Sequence, residues 1–132
     1  MRVVFDTNIF ISALVFPGGQ AQQALHRIID GKDHLFISNP LIHELLEVLA
    51  RKFGRDREEL SRVAVFVADL GEMVQPRTKI RVLEDEADNR ILECAVAGKA
   101  EVIVTGDRAM LRHGQHGQIQ IISLKSYLTL SS

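Results

Sequence analysis

The chain has 132 residues, with 16 basic and 17 acidic side chains and a net charge of −1 at pH 7. This length is ordinary for one compact domain, so we predict a single domain over residues 1–132. With 46% hydrophobic and 25% charged residues, the composition excludes a disordered tail. Typical duplex binders are basic, so any nucleic-acid chemistry must come from local residues.

Three features of the sequence favour a cytoplasmic protein with no membrane segment. Cys94 is the single cysteine and cannot form an internal disulfide, which suits a reducing compartment. The N-terminal segment reaches Asp6 after only three consecutive apolar residues, unlike a signal peptide. No apolar run approaches the roughly 20 residues of a membrane span.

Apolar runs and helical periodicities alternate along the chain. Val3–Phe5 and Val102–Val104 are unbroken apolar runs rich in β-branched residues, which suits central strands of a sheet covered on both faces. In chain order the predictions are a strand at 3–5, a loop at 17–19, a helix at 21–30, a strand at 35–37, helices at 40–53 and 57–70, a weak strand at 73–74, a charged connection at 76–86, a helix at 88–97, strands at 102–104 and 119–122, and a short helix at 124–130. This alternation indicates an α/β domain with a mostly parallel sheet.

Two acids follow the predicted central strands. Asp6 comes directly after Val3–Phe5, and Asp107 comes two residues after Val102–Val104. Ligand sites in open α/β sheets lie outside the carboxyl ends of the strands, so both acids stand where chemistry is expected. Aspartate is also favoured at helix N-caps and in turns, and for either acid alone this structural alternative stays open.

Two further acids extend the apolar stripes of predicted helices. Glu44 lies three residues after Leu41 and four before Val48. Asp88 leads its helix and precedes Ile91 by three residues. A carboxylate turned towards the core needs a partner, a metal ion or a proton. Glu44 could instead reach solvent, and Asp88 could simply favour the positive end of its helix dipole.

Acids from four separate segments can converge at the carboxyl edge of one parallel sheet. Carboxylates held together repel each other unless they bind protons or a cation. Oxygen-only ligands suit a hard ion such as Mg²⁺ or Mn²⁺, which can activate water and neutralise charge on a phosphodiester. The candidate catalytic and metal-binding residues are therefore Asp6, Glu44, Asp88 and Asp107.

Four motifs carry these acids in a fixed order. They are VVFDTN at 3–8, EL at 44–45, DNRIL at 88–92 and VTGDR at 104–108. Together they resemble the PIN-domain family of nucleases, particularly its toxin-like (VapC-type) members. Each piece alone is a weak match, but the ordered set is specific and extends from residue 3 to about the final strand.

The resemblance implies a three-layer α/β/α sandwich and Mg²⁺- or Mn²⁺-dependent endonucleolytic cleavage of RNA, leaving 5′-phosphate and 3′-hydroxyl ends. Carried over by position, the four acids would bind metal, Asn8 would support Asp6, and Thr105 would support the last acid by hydrogen bonding. Any acid at 84–86, Asp85 among them, could take the third position. Asp88 is preferred because it lies on the apolar stripe. Toxin-like members further imply an RNA substrate, a small antitoxin partner and a homodimer.

Basic residues offer a second set of candidates. Arg108 and Arg112 follow the last acid closely and are candidates for binding substrate phosphates. A solvated surface is the alternative for them, as it is for the basic clusters at 51–57 and 77–81. The five histidines lack the spacing of zinc ligands.

Other functions compete with the nuclease interpretation. A phosphorylatable receiver domain also places acids and a metal at strand ends, but it needs a lysine after a late strand, and Lys125 stands in a weak context for that role. A non-catalytic module with the same fold is a second alternative, because a fold does not confer activity. An RNA-processing nuclease outside a toxin–antitoxin pair would carry the same four acids.

Overall fold

The computed structural model describes residues 1–130, and residues 131–132 of the predicted domain lie outside that range. Its elements in chain order are β1 (Arg2–Phe5), α1 (Thr7–Val15), α2 (Gln20–Ile29), β2 (His34–Ile37), α3 (Asn39–Phe53), α4 (Arg57–Leu70), β3 (Glu72–Met73), α5 (Glu86–Ala97), β4 (Val102–Val104), α6 (Arg108–His113), β5 (Gln115–His116), β6 (Ile119–Ile122) and α7 (Leu124–Leu130). None of these helices is both long enough and apolar enough to cross a bilayer.

The strands form one sheet in the order β3-β2-β1-β4-β6-β5. Every neighbouring pair is parallel except β5 and β6, which are antiparallel. Side chains of the central strands β1 and β4 are almost entirely buried, as continuous apolar runs require in a sheet covered on both faces. The predicted α/β class with a mostly parallel sheet is confirmed.

Helices cover both faces of this sheet. The register of β1 and β2 places Phe5 and Phe36 on opposite faces. Phe5 packs against the rings of Phe10 in α1 and Tyr127 in α7, with centroids 5.8 and 5.6 Å away. Phe36 packs so closely against the end of α5 that a Cβ on Gly98 would come within 2.7 Å of its ring. The chain therefore has the three-layer α/β/α arrangement that the motifs implied.

The order of connections changes direction between β1 and β4. The chain leaves β1 towards β2 and β3 on one side, then returns through α5 to β4 on the other. The Asp6 N–H donates to the Val104 carbonyl at 2.9 Å, which holds the ends of these two strands together. Such a reversal opens a crevice outside the carboxyl ends of the strands, where α/β proteins bind ligands.

Three elements were absent from the sequence predictions: α1, α6 and β5. Helix α1 has buried residues around much of its circumference, including Ile9, Phe10 and Ile11. It therefore lacks the one-sided apolar stripe that identifies a surface helix. Helix α6 has only six residues and β5 only two, too few to display a periodicity.

Candidate active site

Asp6 lies at the junction of β1 and α1 and is 3% exposed. Its Oδ1 accepts a hydrogen bond from the Asn8 backbone N–H at 3.2 Å, which caps α1. Its Oδ2 accepts a hydrogen bond from the Thr105 hydroxyl at 2.6 Å. Burial raises the pKa of Asp6, and the hydrogen bonds from Thr105 and Asn8 offset only part of that rise. The same carboxylate thus caps a helix and lines the crevice.

Thr105 connects the first and last acids of the crevice. Besides donating to Asp6, its hydroxyl accepts a hydrogen bond from the Asp107 N–H at 3.0 Å. Asp107 then caps α6 by accepting from the Met110 N–H at 3.0 Å. The predicted contact at the Asp107 end is present, and the bond to Asp6 adds a link between the two strand ends.

Glu44 approaches from α3 and meets Thr7, a residue that the sequence analysis did not select. The Thr7 hydroxyl lies 3.2 Å from Glu44 Oε2 and 3.4 Å from Asp6 Oδ1, and its single hydrogen can be donated to only one of them at a time. Burial raises the pKa of Glu44, the Thr7 hydrogen bond opposes this rise, and the charges of Asp6 and Asp85 add to it.

Asp88 is the least satisfied of the four acids. It is 6% exposed, and its buried Oδ2 has no hydrogen-bond partner among residues 1–130. Burial is the main cause that raises its pKa to about 7. Further upward contributions come, in decreasing order, from the charges of Asp107, Asp85, Asp6 and Glu44. The other three predicted acids are therefore close enough for their charges to disfavour the ionisation of Asp88.

Asp6, Glu44, Asp88 and Asp107 together form what we call the acidic pocket, and Asp85 stands at its rim. It is exposed, and its Oδ1 accepts a hydrogen bond from the Ala87 N–H at 2.9 Å as the N-cap of α5. Its charge still contributes to the raised pKa of both Glu44 and Asp88. The acids at 84–86 are all exposed, and Asp88 is the buried candidate for the third position, which is the placement that its apolar stripe predicted.

The remaining predicted residues, Asn8, Arg108 and Arg112, are all exposed. Asn8 is exposed and contacts Asp6 through its backbone N–H, so this contact does not depend on its amide side chain. Arg108 begins α6 and Arg112 lies in its last turn, and both are exposed. Neither guanidinium forms an ion pair within residues 1–130.

The donor set of the pocket fits a hydrated hard cation. Within residues 1–130 no three acidic, histidine or cysteine side chains form a ready-made metal cage. Mg²⁺ does not need one, since it usually keeps several waters and binds only one or two carboxylates directly. The unpaired oxygen of Asp88 and the absence of ion pairs to the four acids, among the described residues, leave negative charge without a counter-ion.

A family model described as PIN domain matches residues 2–109, a range that contains all four acids. The chain belongs to the PIN-domain family. This PIN-domain protein is also 30% identical over 115 residues to an uncharacterized protein of Methanocaldococcus jannaschii. That alignment covers 84% of this chain and 74% of the relative.

Two solved structures resemble this PIN domain in fold. One is VapBC2 from Rickettsia felis bound to a DNA fragment from their promoter, with a TM-score of 0.65, 14% identity, and coverage of 93% of this chain and 98% of the other. The second is VapBC-1 from nontypeable Haemophilus influenzae, with a TM-score of 0.66, 17% identity, and coverage of 95% and 99%. At these identities the likeness shows the fold alone.

Proposed function

We propose that this PIN-domain protein is a metal-dependent endoribonuclease that hydrolyses RNA phosphodiester bonds in the cytoplasm. The observation that carries the proposal is the acidic pocket between β1 and β4, where Asp88 keeps a buried, unpaired oxygen beside three other acids. A Mg²⁺ or Mn²⁺ ion bound there would supply a Lewis acid at the phosphodiester.

The pocket residues divide the remaining tasks. Asp6 and Asp107, joined through Thr105, present oxygens from two fixed strand ends. Asp88, with a pKa of about 7, is partly protonated near neutral pH and would lose that proton on binding a cation. Arg108, exposed beside Asp107, and Arg112 are available to bind the substrate's phosphates.

The test is cleavage of a mixed single-stranded RNA pool in Mg²⁺, Mn²⁺ or EDTA. Wild type is compared with Asp6→Asn and with Asp69→Asn, a matched change at an exposed acid of α4. We expect cleavage that requires metal, persists in Asp69→Asn and is lost in Asp6→Asn. Cleavage that survives in Asp6→Asn, or in EDTA, would contradict the proposal, and a wild type that does not cleave in either metal would favour a non-catalytic module.

We further propose that the protein is the toxin component of a toxin–antitoxin pair, with a small antitoxin partner and a homodimeric form. The likeness in fold to two VapBC structures supports this role. Expression in a bacterial host should arrest growth, and Asp6→Asn should relieve the arrest. Unimpaired growth together with cleavage in vitro would instead favour an RNA-processing nuclease.

A further inference from the structure

A charged segment outside the pocket connects β3 to α5 without regular secondary structure. We call residues 76–83 the strap. Its three cations, Arg77, Lys79 and Arg81, are exposed, whereas Ile80 between them is 7% exposed. Thr78 and Val82 are exposed as well, so Ile80 is the point at which this irregular segment turns towards the protein. The strap therefore presents all three positive charges to solvent.

The strap cations differ from the arginines of the surface helices. Arg51, Arg55 and Arg62 each pair with a glutamate four residues away, at 3.4, 3.0 and 3.0 Å. Within residues 1–130 none of the strap cations forms an ion pair. Their charge is thus available to an anionic partner without first breaking an internal pair.

Three side chains of α5 fasten the strap through its backbone. Asn89 is fully buried, accepts from the Leu83 N–H at 2.9 Å and donates to the Leu83 carbonyl at 2.8 Å. The buried Glu93 accepts from the Ile80 N–H at 2.9 Å. Arg90 donates to the Ile80 carbonyl at 3.2 Å and pairs with Glu93 at 3.0 Å. An irregular segment held in this way is ordered before binding, which lowers the entropic cost of association.

The helix that fastens the strap also carries the third acid of the pocket. Glu93 follows Asp88 by five residues, which corresponds to about 7.5 Å along an α-helix. Ile80 is held beside Glu93, which lies about 140° around α5 from Asp88, so Lys79 and Arg81 belong to a segment fastened to the same helix on a neighbouring face. A chain of phosphates with one member at the acids would reach the strap by passing around this helix.

We propose that the strap binds the phosphate backbone of single-stranded RNA as it leaves the acidic pocket along α5. This inference rests on the proposed nuclease function, since it takes the pocket as the cleavage site. A line of three cations on one segment matches a single phosphate chain, whereas a net charge of −1 does not favour a broad duplex surface. Contacts to phosphates give affinity and orientation without sequence specificity.

The experiment is a titration of labelled oligouridine in EDTA at several KCl concentrations. Wild type is compared with the triple variant Arg77→Gln, Lys79→Gln and Arg81→Gln. With one phosphate neutralised per cation, the slope of log K against log salt should fall by about 2. The same relation gives a loss of affinity on the order of 100-fold at 0.1 M salt.

Two control variants separate the strap from net charge and from folding. The first, Lys32→Gln, Lys52→Gln and Arg57→Gln, removes the same charge from exposed positions outside the strap and should bind almost as wild type. The second, Arg77→Lys and Arg81→Lys, keeps the charge and should keep the slope. All variants should melt at the wild-type temperature because the changed side chains are exposed.

An unchanged salt slope in the strap variant would overturn the proposal, and so would an equal loss of oligouridine affinity in the first control. Binding of polyglutamate as tightly as oligouridine would also overturn it and would indicate a surface for an acidic protein. The assay contains no metal and needs no cleavage. Binding that depends on the strap with no cleavage in Mg²⁺ or Mn²⁺ would therefore retain the strap and reject the nuclease.

Discussion

Asp33 and Asp88 are both buried carboxylates, 7% and 6% exposed, at opposite edges of the sheet. Asp33 precedes β2, and its Oδ2 accepts hydrogen bonds from the Tyr127 hydroxyl at 2.5 Å and from Arg27 Nε at 2.9 Å. Its Oδ1 pairs with the N-terminal ammonium at 3.2 Å. Burial alone would raise the pKa of Asp33, but these partners outweigh it and hold the pKa below its ordinary value.

Asp88 has the opposite environment. Its Oδ2 is unpaired, and the charges that act on it most strongly are those of other acids, which help to raise its pKa to about 7. Within the described part of the chain, the fold therefore pairs one buried carboxylate with cations and leaves the four pocket acids without an ion pair. This difference in partners distinguishes an acid that stabilises the fold, Asp33, from acids that are available to bind a cation.

The largest expected effect tests which acid at the start of α5 belongs to the pocket. Asp88→Asn should lower RNA cleavage more than the roughly 10–100-fold typical of residues that only orient metal ligands. Asp85→Asn should retain most activity, because Asp85 is exposed at the rim. Single-turnover cleavage rates in Mg²⁺ measure both. The reverse order would make Asp85 the third acid.

The two buried acids should differ in the sign of their effect on stability. Asp33→Asn should lower the free energy of unfolding by about 2–3 kcal/mol, somewhat below the value for a fully buried pair because Arg27 is partly exposed. Asp88→Asn should leave stability unchanged or raise it, because it removes repulsion without breaking a bond. Urea unfolding without metal measures both. A comparable loss in Asp88→Asn would mean that its carboxylate is structural.

Sequence patterns predicted one of these environments and not the other. Asp88 lies on a helical apolar stripe, so its inward placement follows from local periodicity. The burial of Asp33 depends on Tyr127, which is 94 residues away, and no local pattern carries that contact. Thr7 was missed for the same reason, since its contact with Glu44 spans 37 residues and lies at the start of a helix that has no one-sided stripe.

A smaller effect tests whether the Thr7 hydroxyl positions the carboxylates of Asp6 and Glu44 for metal binding. Thr7→Val keeps the side chain's shape but removes the hydroxyl between Asp6 and Glu44, and we expect a 10- to 100-fold weaker Mn²⁺ affinity, roughly the effect of losing a ligand-orienting residue. Thr7→Ser should restore most of it. Direct Mn²⁺ titration is the measurement, and full affinity in Thr7→Val would show that Glu44 is held by packing alone.

The smallest expected effect is a difference in pH dependence that isolates Asp88. Its pKa is about 7 in the folded chain and 3.8 ordinarily, so the folded chain binds more protons between about pH 4 and 7, and stability falls as pH rises through that range. Asp33, with a lowered pKa, loses its contribution to stability only below about pH 4, outside this window.

Allowing for access of water to the pocket, Asp88 should make the metal-free wild type about 1 kcal/mol more stable at pH 5 than at pH 7. Every other titratable group is common to wild type and Asp88→Asn, so the difference between the unfolding curves of the two proteins reports the Asp88 carboxylate. Identical pH dependence in the two proteins would mean that Asp88 is already ionised at neutral pH and that the contrast with Asp33 is one of geometry alone.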